Sequence, residues 1–480
     1  MNRTQETRKT GLQPQRLERL ALAIARPTFD LAYARERWRA AQRLLDAEGF
    51  ALYPESILEA AQLDALFARH PQAPKQLVVF QATFADATLV KRIAEQWPET
   101  QLVLWAPREP RSGERLRLNA ICGLHLASHA LSRMQRPLRP LVLDPEADSA
   151  ALRLAAALNA PPLLPRPLAP PASPSAADSA AAQSLIAALK GLRVGLVGEA
   201  PDGFDSCRFD PDWLADILGV EVISSSLERL FTAARAVPEA RLDALEADTR
   251  AKLEDYDRVD VSARQGTLSF YQALYAWVSH DGLDALAVRC WPEIFTELGC
   301  AACGAMARLG EAGIPSACEA DVGGTLSSYI LQQLSQSPPF LVDLVDQDPG
   351  DDTAVVWHCG LAPLSLCAKD TKPRATLHSN RRLPLLQEFP LKAGRITLFR
   401  ISFGWGRPFI LVGTSEMRAR PLPFSGTAGV LDLQAEQLAA LFAQGVEHHL
   451  AFAYGDHKAA LVALAAALEL PLLDLDGLGI

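Results

Sequence analysis

The sequence predicts an α/β protein in which two units built on parallel sheets are followed by a β-rich, sheet-like or barrel-like unit. Three observations carry that expectation. Short apolar runs alternate with helical segments of ten or more residues, once before and once after a proline-dense stretch at 161–174. Beyond Pro338 the alternation gives way to short apolar runs separated by Gly and Pro turns, the pattern of antiparallel strands. At 480 residues the chain is also long enough for several cores. The expected boundaries are 1–185, 186–316 and 317–480.

Taken in order, the N-terminal forty-odd residues carry Arg16, Arg19, Arg26, Arg35, Arg37, Arg39 and Arg43 among Leu and Ala at helical spacing. That reads as a solvated helix face. The start, 1–9, is polar and leads into no signal-peptide core. Strands are expected at 77–80, 101–105 and 140–143, with helices at 86–97 and 119–134 between them. The proline-dense stretch and the Ser/Ala-rich residues up to Ser184 read as a linker or surface excursion. The alternation resumes with a strand at 192–198, helical segments at 227–253 and 266–278, and a strand at 285–289. Gly195 and Gly198 look like glycines at a strand-to-loop bend, because no phosphate-cradling glycine series opens a helix after them. In the last third, runs at 353–357, 395–403, 408–412 and 429–433 read as strands. A helix at 459–468 and a strand at 471–475 close the chain.

Composition narrows the function classes. A hydrophobic fraction of 49% with 21% charged residues is that of a soluble globular protein. A formal net charge of −9 argues against nucleic acid as a partner. Every Ala/Leu-rich stretch is broken by a charge or a proline before it reaches membrane-spanning length. Eight scattered cysteines without a secretion signal read as reduced thiols of a cytoplasmic enzyme. Cys300-Ala-Ala-Cys303 has redox-motif spacing, but Gly299, Gly304 and Ala305 around it point to tight helix packing.

The chemistry concentrates between Arg289 and Gly360, with a late addition at Glu447-His448-His449. The strand at 285–289 delivers Trp291, Pro292 and Glu293 just past its carboxyl end, the edge at which open parallel sheets bind ligands. Glu319 and Asp321 follow one helix later. On an extended strand these two acids would share a face, so either is a candidate ligand. Carboxylates in Gly-, Ala- and Cys-rich surroundings are costly unless paired or bound to a cation. Carboxylate oxygen suits Mn²⁺ or Mg²⁺, and Mn²⁺ also accepts imidazole. His448 and His449 precede an apolar strand, whose alternation would let only one of them ligate. His358 ends another strand and either faces the site or bonds to backbone.

Arg289-Cys-Trp-Pro-Glu293, Gly313-Ile-Pro-Ser-Ala-Cys-Glu319-Ala-Asp321, Trp357-His358-Cys359-Gly360 and Glu447-His448-His449 resemble the L-fucose isomerase / L-arabinose isomerase superfamily, most closely its fucose-isomerase-like members. The resemblance extends to 192–198, and more loosely to Gln81-Ala-Thr83 and Arg117-Leu-Asn119. It implies two Rossmann-like domains, a β-rich C-terminal domain, and an aldose–ketose isomerase working through an enediol on an open-chain sugar of the L-fucose or L-arabinose type. It further implies a divalent cation, Mn²⁺ or else Mg²⁺ or Co²⁺. By position, Glu293, Asp321 and His449 would hold that ion, with Glu319 the alternate to Asp321, and the acids Glu293, Asp321 and Glu319 would be the catalytic ones. His448, His358 and Trp291 would contact substrate. In place of the arabinose branch's additional histidine the chain has Asp343 and Asp346. The resemblance also implies a homo-oligomer, trimer or hexamer, with Arg117 and Asn119 as candidates for a wall contributed across the subunit interface. The rival classes are a non-catalytic carbohydrate-binding protein on the same fold and a nucleotide-using enzyme.

Overall fold

The computed structural model describes residues 18–168 and 170–478; the polar start at 1–9 and Arg16 lie outside them. The first sheet comprises β1 (Arg19–Ile24), β2 (Ala51–Ile57), β3 (Gln76–Gln81), β4 (Gln101–Ala106) and β5 (Leu138–Val142). All pairs are parallel, in the order β2-β1-β3-β4-β5. β1 corrects the helical reading of the N-terminal region. Leu20 to Ile24 is an apolar run buried on both faces at the middle of the sheet, which suits a central parallel strand, and the helix begins only at Leu31. Asp30 starts that helix by accepting the backbone N–H of Tyr33.

The proline-dense stretch holds no helix or strand from 161 to 168, but the Ser/Ala-rich residues after it form the helix Ala176–Leu189, capped by Ser175. High alanine content makes helix the favoured state once a cap is present. The helix packs on the C-terminal helix Lys458–Ala467.

The second sheet comprises β6 (Arg193–Val197), β7 (Glu221–Ser225), β8 (Ala285–Val288) and β9 (Ser316–Cys318), all parallel in the order β7-β6-β8-β9. A Cβ on Gly195 would lie 2.6–2.9 Å from Leu286, Leu283 and Trp277, and Gly198 turns the chain with φ +70°. The bend expected from sequence falls at Gly198, while Gly195 serves close packing. Cys300 lies against Gly266, and a Cβ on Gly304 would meet the Leu385 carbonyl at 2.4 Å, so this motif is indeed a tight packing element.

The third sheet has nine strands: β10 (Phe340–Asp348), β11 (Thr353–His358), β12 (Arg374–Thr376), β13 (Leu386–Pro390), β14 (Gly394–Ser402), β15 (Phe409–Arg418), β16 (Thr427–Asp432), β17 (His449–Tyr454) and β18 (Leu472–Asp474). Strands β16-β11-β10-β17-β14-β15 pair in that order, and β15 pairs back to β16, so the sheet closes into a six-stranded antiparallel barrel. The fold is therefore α/β, with two parallel, Rossmann-like sheets and a barrel. Among the described residues no helix is long and apolar enough to cross a membrane.

In both parallel sheets the strand order reverses beside the first strand, between β1 and β3 and between β6 and β8. Such switch points open a crevice at the carboxyl edge. The segments leaving all four of these strands contribute to one cavity of about 710 Å³, through Arg26, Phe84, Phe204 and Trp291.

Candidate active site

Each strand end places chemistry in that cavity because the chain turns sharply there. After β9, Glu319 and Ala320 both adopt left-handed backbone (φ +58°), and Asp321 becomes the cap of the helix Val322–Ser335. Glu319 and Asp321 therefore do not share a face, as they would on the extended strand expected from sequence. The double turn sends Glu319 into the cavity, whereas Asp321 is fully buried behind it. Asp321 accepts the Gly324 N–H at 2.8 Å and takes a two-pronged ion pair from Arg400 on β14, at 2.7 and 2.9 Å. A Cβ on Gly324 would stand 2.5 Å from the Asp321 carboxylate and 2.8 Å from the guanidinium, so glycine leaves room for this pair. Burial alone would raise the Asp321 pKa, but the charge of Arg400 and the hydrogen bond to His449 hold it well below the usual range.

His448 and His449 both face the acids. His448 precedes β17, so strand alternation does not separate the two rings, whose centroids lie 3.8 Å apart. His448 Nδ1 pairs with Ser206 Oγ at 2.8 Å, and its Nε2 lies 3.0 Å from Glu319 Oε2 and 3.9 Å from Asp343 Oδ1. His449 Nδ1 meets Asp321 Oδ2 at 2.9 Å; its Nε2 lies 3.7 Å from Glu319 and 3.8 Å from Asp343. Asp343, on β10 opposite His449 in register, is the acid that sequence reasoning noted only in passing. Its Oδ1 is buried without a hydrogen-bond partner, and burial raises its pKa. Burial also raises Glu319, but the hydrogen bond and charge of His448 outweigh it and leave Glu319 below its ordinary value. A lone acid inside the apolar run Phe340 to Val345 was the available signal for Asp343.

Glu293 is not brought into this group. It turns back on Arg289 in a bidentate pair (2.9 and 3.0 Å) and does not line the cavity. Trp291 does, and its indole N–H donates to Glu319 Oε1 at 3.1 Å. His358 lines the cavity too, with Nε2 2.9 Å from Cys318 Sγ and Nδ1 accepting the Cys359 N–H; burial pushes its pKa down to about 3. Asn119 lines the cavity within its own chain. Arg117 instead pairs with Asp30 and stacks over Tyr33 at 3.8 Å. Ser206, in the short 3-10 turn Asp205–Cys207, and His378 and Arg381, on a loop, belong to no motif the sequence offered, while Arg26, read as part of a solvated helix face, follows β1 and lines the cavity.

The donor set fits a divalent cation. The ligand atoms of Cys207, Glu319, His448 and His449 lie within 4.8 Å of one another, as do those of Cys122, Asp343 and His448. Hard carboxylate oxygen beside imidazole, with one buried oxygen left unpartnered, is the chemistry such an ion satisfies.

Two carboxylates set against a histidine pair, in a cavity at two switch points and without a phosphate cradle, suit moving a proton between neighbouring carbons of a sugar. The protein is an aldose–ketose isomerase. No family model matches the chain, but curated relatives do along nearly its whole length. A sulfoquinovose isomerase from Alkalicoccus urumqiensis is 30% identical over 463 residues, spanning 95% of this chain and 99% of its own. Sulfoquinovose isomerases from Priestia megaterium (strain ATCC 12872 / QMB1551) and Clostridium sp. (strain MSTE9) are each 29% identical, covering 94% of this chain and 97% of theirs. The chain belongs to the sulfoquinovose isomerase family.

Proposed function

We propose that this enzyme interconverts sulfoquinovose, an aldohexose with a sulfonate at carbon 6, and its 2-ketose, and that it does so with a bound divalent cation, Mn²⁺ first among the candidates. The observation that carries the reading is the Asp343 oxygen, buried without a hydrogen-bond partner in a cavity that Glu319 and His448 also line and to which both switch points contribute. Glu319, Asp343 and His448 would hold the ion, because all three line the cavity. Of the residues the resemblance implied, Glu293 is engaged by Arg289 and Asp321 by Arg400, while His449 Nε2, 3.7 Å from Glu319 and 3.8 Å from Asp343, stands beside this set. When bound, the ion would polarise the carbonyl and the adjacent hydroxyl of the open-chain sugar.

The chain's own groups then move protons. One cavity carboxylate, Glu319 or Asp343, takes the hydrogen of carbon 2 as a proton, giving an enediol, and returns a proton to carbon 1. The proton of the carbon-2 hydroxyl passes to the carbon-1 oxygen, so that aldehyde and hydroxyl exchange places with no net gain or loss. Ser206 on Nδ1 fixes the His448 ring; Asp321, held by Arg400, fixes His449. Trp291 fixes Glu319. The reading includes a homo-oligomer, trimer or hexamer, for which light scattering gives the count.

The test is an isomerisation screen by proton NMR with sulfoquinovose, D-glucose, L-fucose and L-arabinose, each with Mn²⁺. Preferred turnover of sulfoquinovose supports the proposal. Preferred turnover of L-fucose or L-arabinose would overturn the substrate assignment and leave the isomerase in place.

A further inference from the structure

One group in the cavity has no part in the proton chemistry. Arg381, in the loop between β12 and β13, is half-buried against aromatic rings, with its guanidinium carbon 5.3 Å from the Trp291 ring centroid and 5.2 Å from that of Phe295. Among the described residues no carboxylate lies within ion-pairing distance of it. Glu293, the acid that acts on it electrostatically, is engaged by Arg289. A second guanidinium, Arg26, lies 5.2 Å from the same Trp291 ring and is anchored by Asp86. Burial and the like charge of Arg26 both push the Arg381 pKa down. An unneutralised, partly desolvated cation is a costly arrangement unless an anion joins it.

The loop is built to present this cation. His378 Nδ1 lies 3.3 Å from the backbone N–H groups of both Asn380 and Arg381. A ring nitrogen that accepts two N–H groups carries no hydrogen, so the hydrogen of this neutral imidazole sits on Nε2. Burial, followed by the charge of Arg381, keeps the ring neutral, with its pKa pushed down to about 3. His378, Asn380 and Arg381 all line the cavity. Trp291 bridges the two ends of the site: the guanidinium pair lies over its ring and its N–H holds Glu319.

We infer that the His378–Arg381 loop is the anion-recognition element of this cavity, with Arg381 gripping the sulfonate of the sugar while carbons 1 and 2 meet Glu319 and Asp343. The inference rests on the sulfosugar reading above and adds to it the residues that set specificity. A planar guanidinium matches two sulfonate oxygens at once, which an uncharged hydroxymethyl group at carbon 6 does not exploit.

The experiment measures kcat and KM for sulfoquinovose and for D-glucose in the wild type, Arg381→Gln and Arg381→Lys, with thermal melts to verify folding. The expected result is a wild-type preference for sulfoquinovose that falls about 100-fold in Arg381→Gln, carried by KM rather than kcat. Arg381→Lys keeps the charge without the fork and should lose about 10-fold, which preserves the test if the glutamine variant does not fold. A preference retained in both variants, or equal losses on both sugars, would overturn the inference while leaving the substrate assignment intact. A wild type with no preference for the sulfonate would overturn both.

Discussion

Replacing Arg400 by Met is the perturbation whose consequence follows most directly from the geometry. Arg400 is 2% exposed and bonds both oxygens of Asp321, which is itself wholly buried, while its Nε lies 3.8 Å from Glu447. Methionine fills much of the space but strands the Asp321 charge, with only the Gly324 N–H and His449 to stabilise it. Breaking one side of a buried pair costs about 3–5 kcal/mol. At about 2.1 cal/mol/K per residue the 480-residue chain has an unfolding entropy near 1 kcal/mol/K, so Tm falls by roughly 3–5 °C if it melts as one unit. Because Asp321 orients His449 beside the catalytic carboxylates, kcat should fall as well. The assay is calorimetry on Arg400→Met, Asp321→Asn and the double variant. The double variant should be more stable than Arg400→Met alone, because the stranded charge is gone. Strictly additive losses, or an Arg400→Met melt within 1 °C of wild type, would refute the reasoning.

Other expectations concern the acids and the buried imidazoles. Glu319→Gln should lower kcat/KM by roughly 10³-fold, whereas Glu293→Gln, whose carboxylate faces Arg289, should stay within about threefold of wild type; steady-state kinetics with sulfoquinovose reads both. His125, His358 and His378 are held neutral, with pKa values pushed down to about 3 chiefly by burial. In the unfolded chain they titrate near 6.5, so between these values the unfolded state binds more protons. The stability these groups give is thus complete above about pH 6.5 and falls with acidification, by up to about 4 kcal/mol per pH unit for the three together, opposed in part by Glu109, whose pKa burial raises to about 7. The urea midpoint should drop between pH 7.5 and pH 5.5, and His125→Phe should lessen that drop. An unchanged wild-type midpoint would contradict it.

The fold was legible wherever apolar runs met clear turn signals, as at β3, β4, β8 and β11. It was hidden at β1, where flanking arginines at helical spacing masked a short central strand, and in the Ser/Ala-rich segment, where composition suited linker and helix alike. For the candidate site, the sequence located the correct stretch but not which side chains meet. Whether Glu319 or Asp321 faces the cavity turns on two consecutive left-handed residues, and non-glycine side chains do not announce that conformation. The joint approach of His448 and His449 depends on where β17 begins. Asp343 looked like one more acid until barrel closure set it opposite His449. Arg381 has no local pattern at all, because what marks it is the absence of a partner in space.

The central claim is that Glu319, Asp343 and His448 hold a divalent ion at which sulfoquinovose is isomerised. The most direct measurement titrates Mn²⁺ into chelator-treated wild-type and Asp343→Asn protein while NMR follows the ketose. The account predicts that wild-type activity is lost on chelation and returns with one Mn²⁺ per chain, and that Asp343→Asn recovers little at the same concentration. Full activity after complete metal removal, or equal recovery in Asp343→Asn, would contradict it.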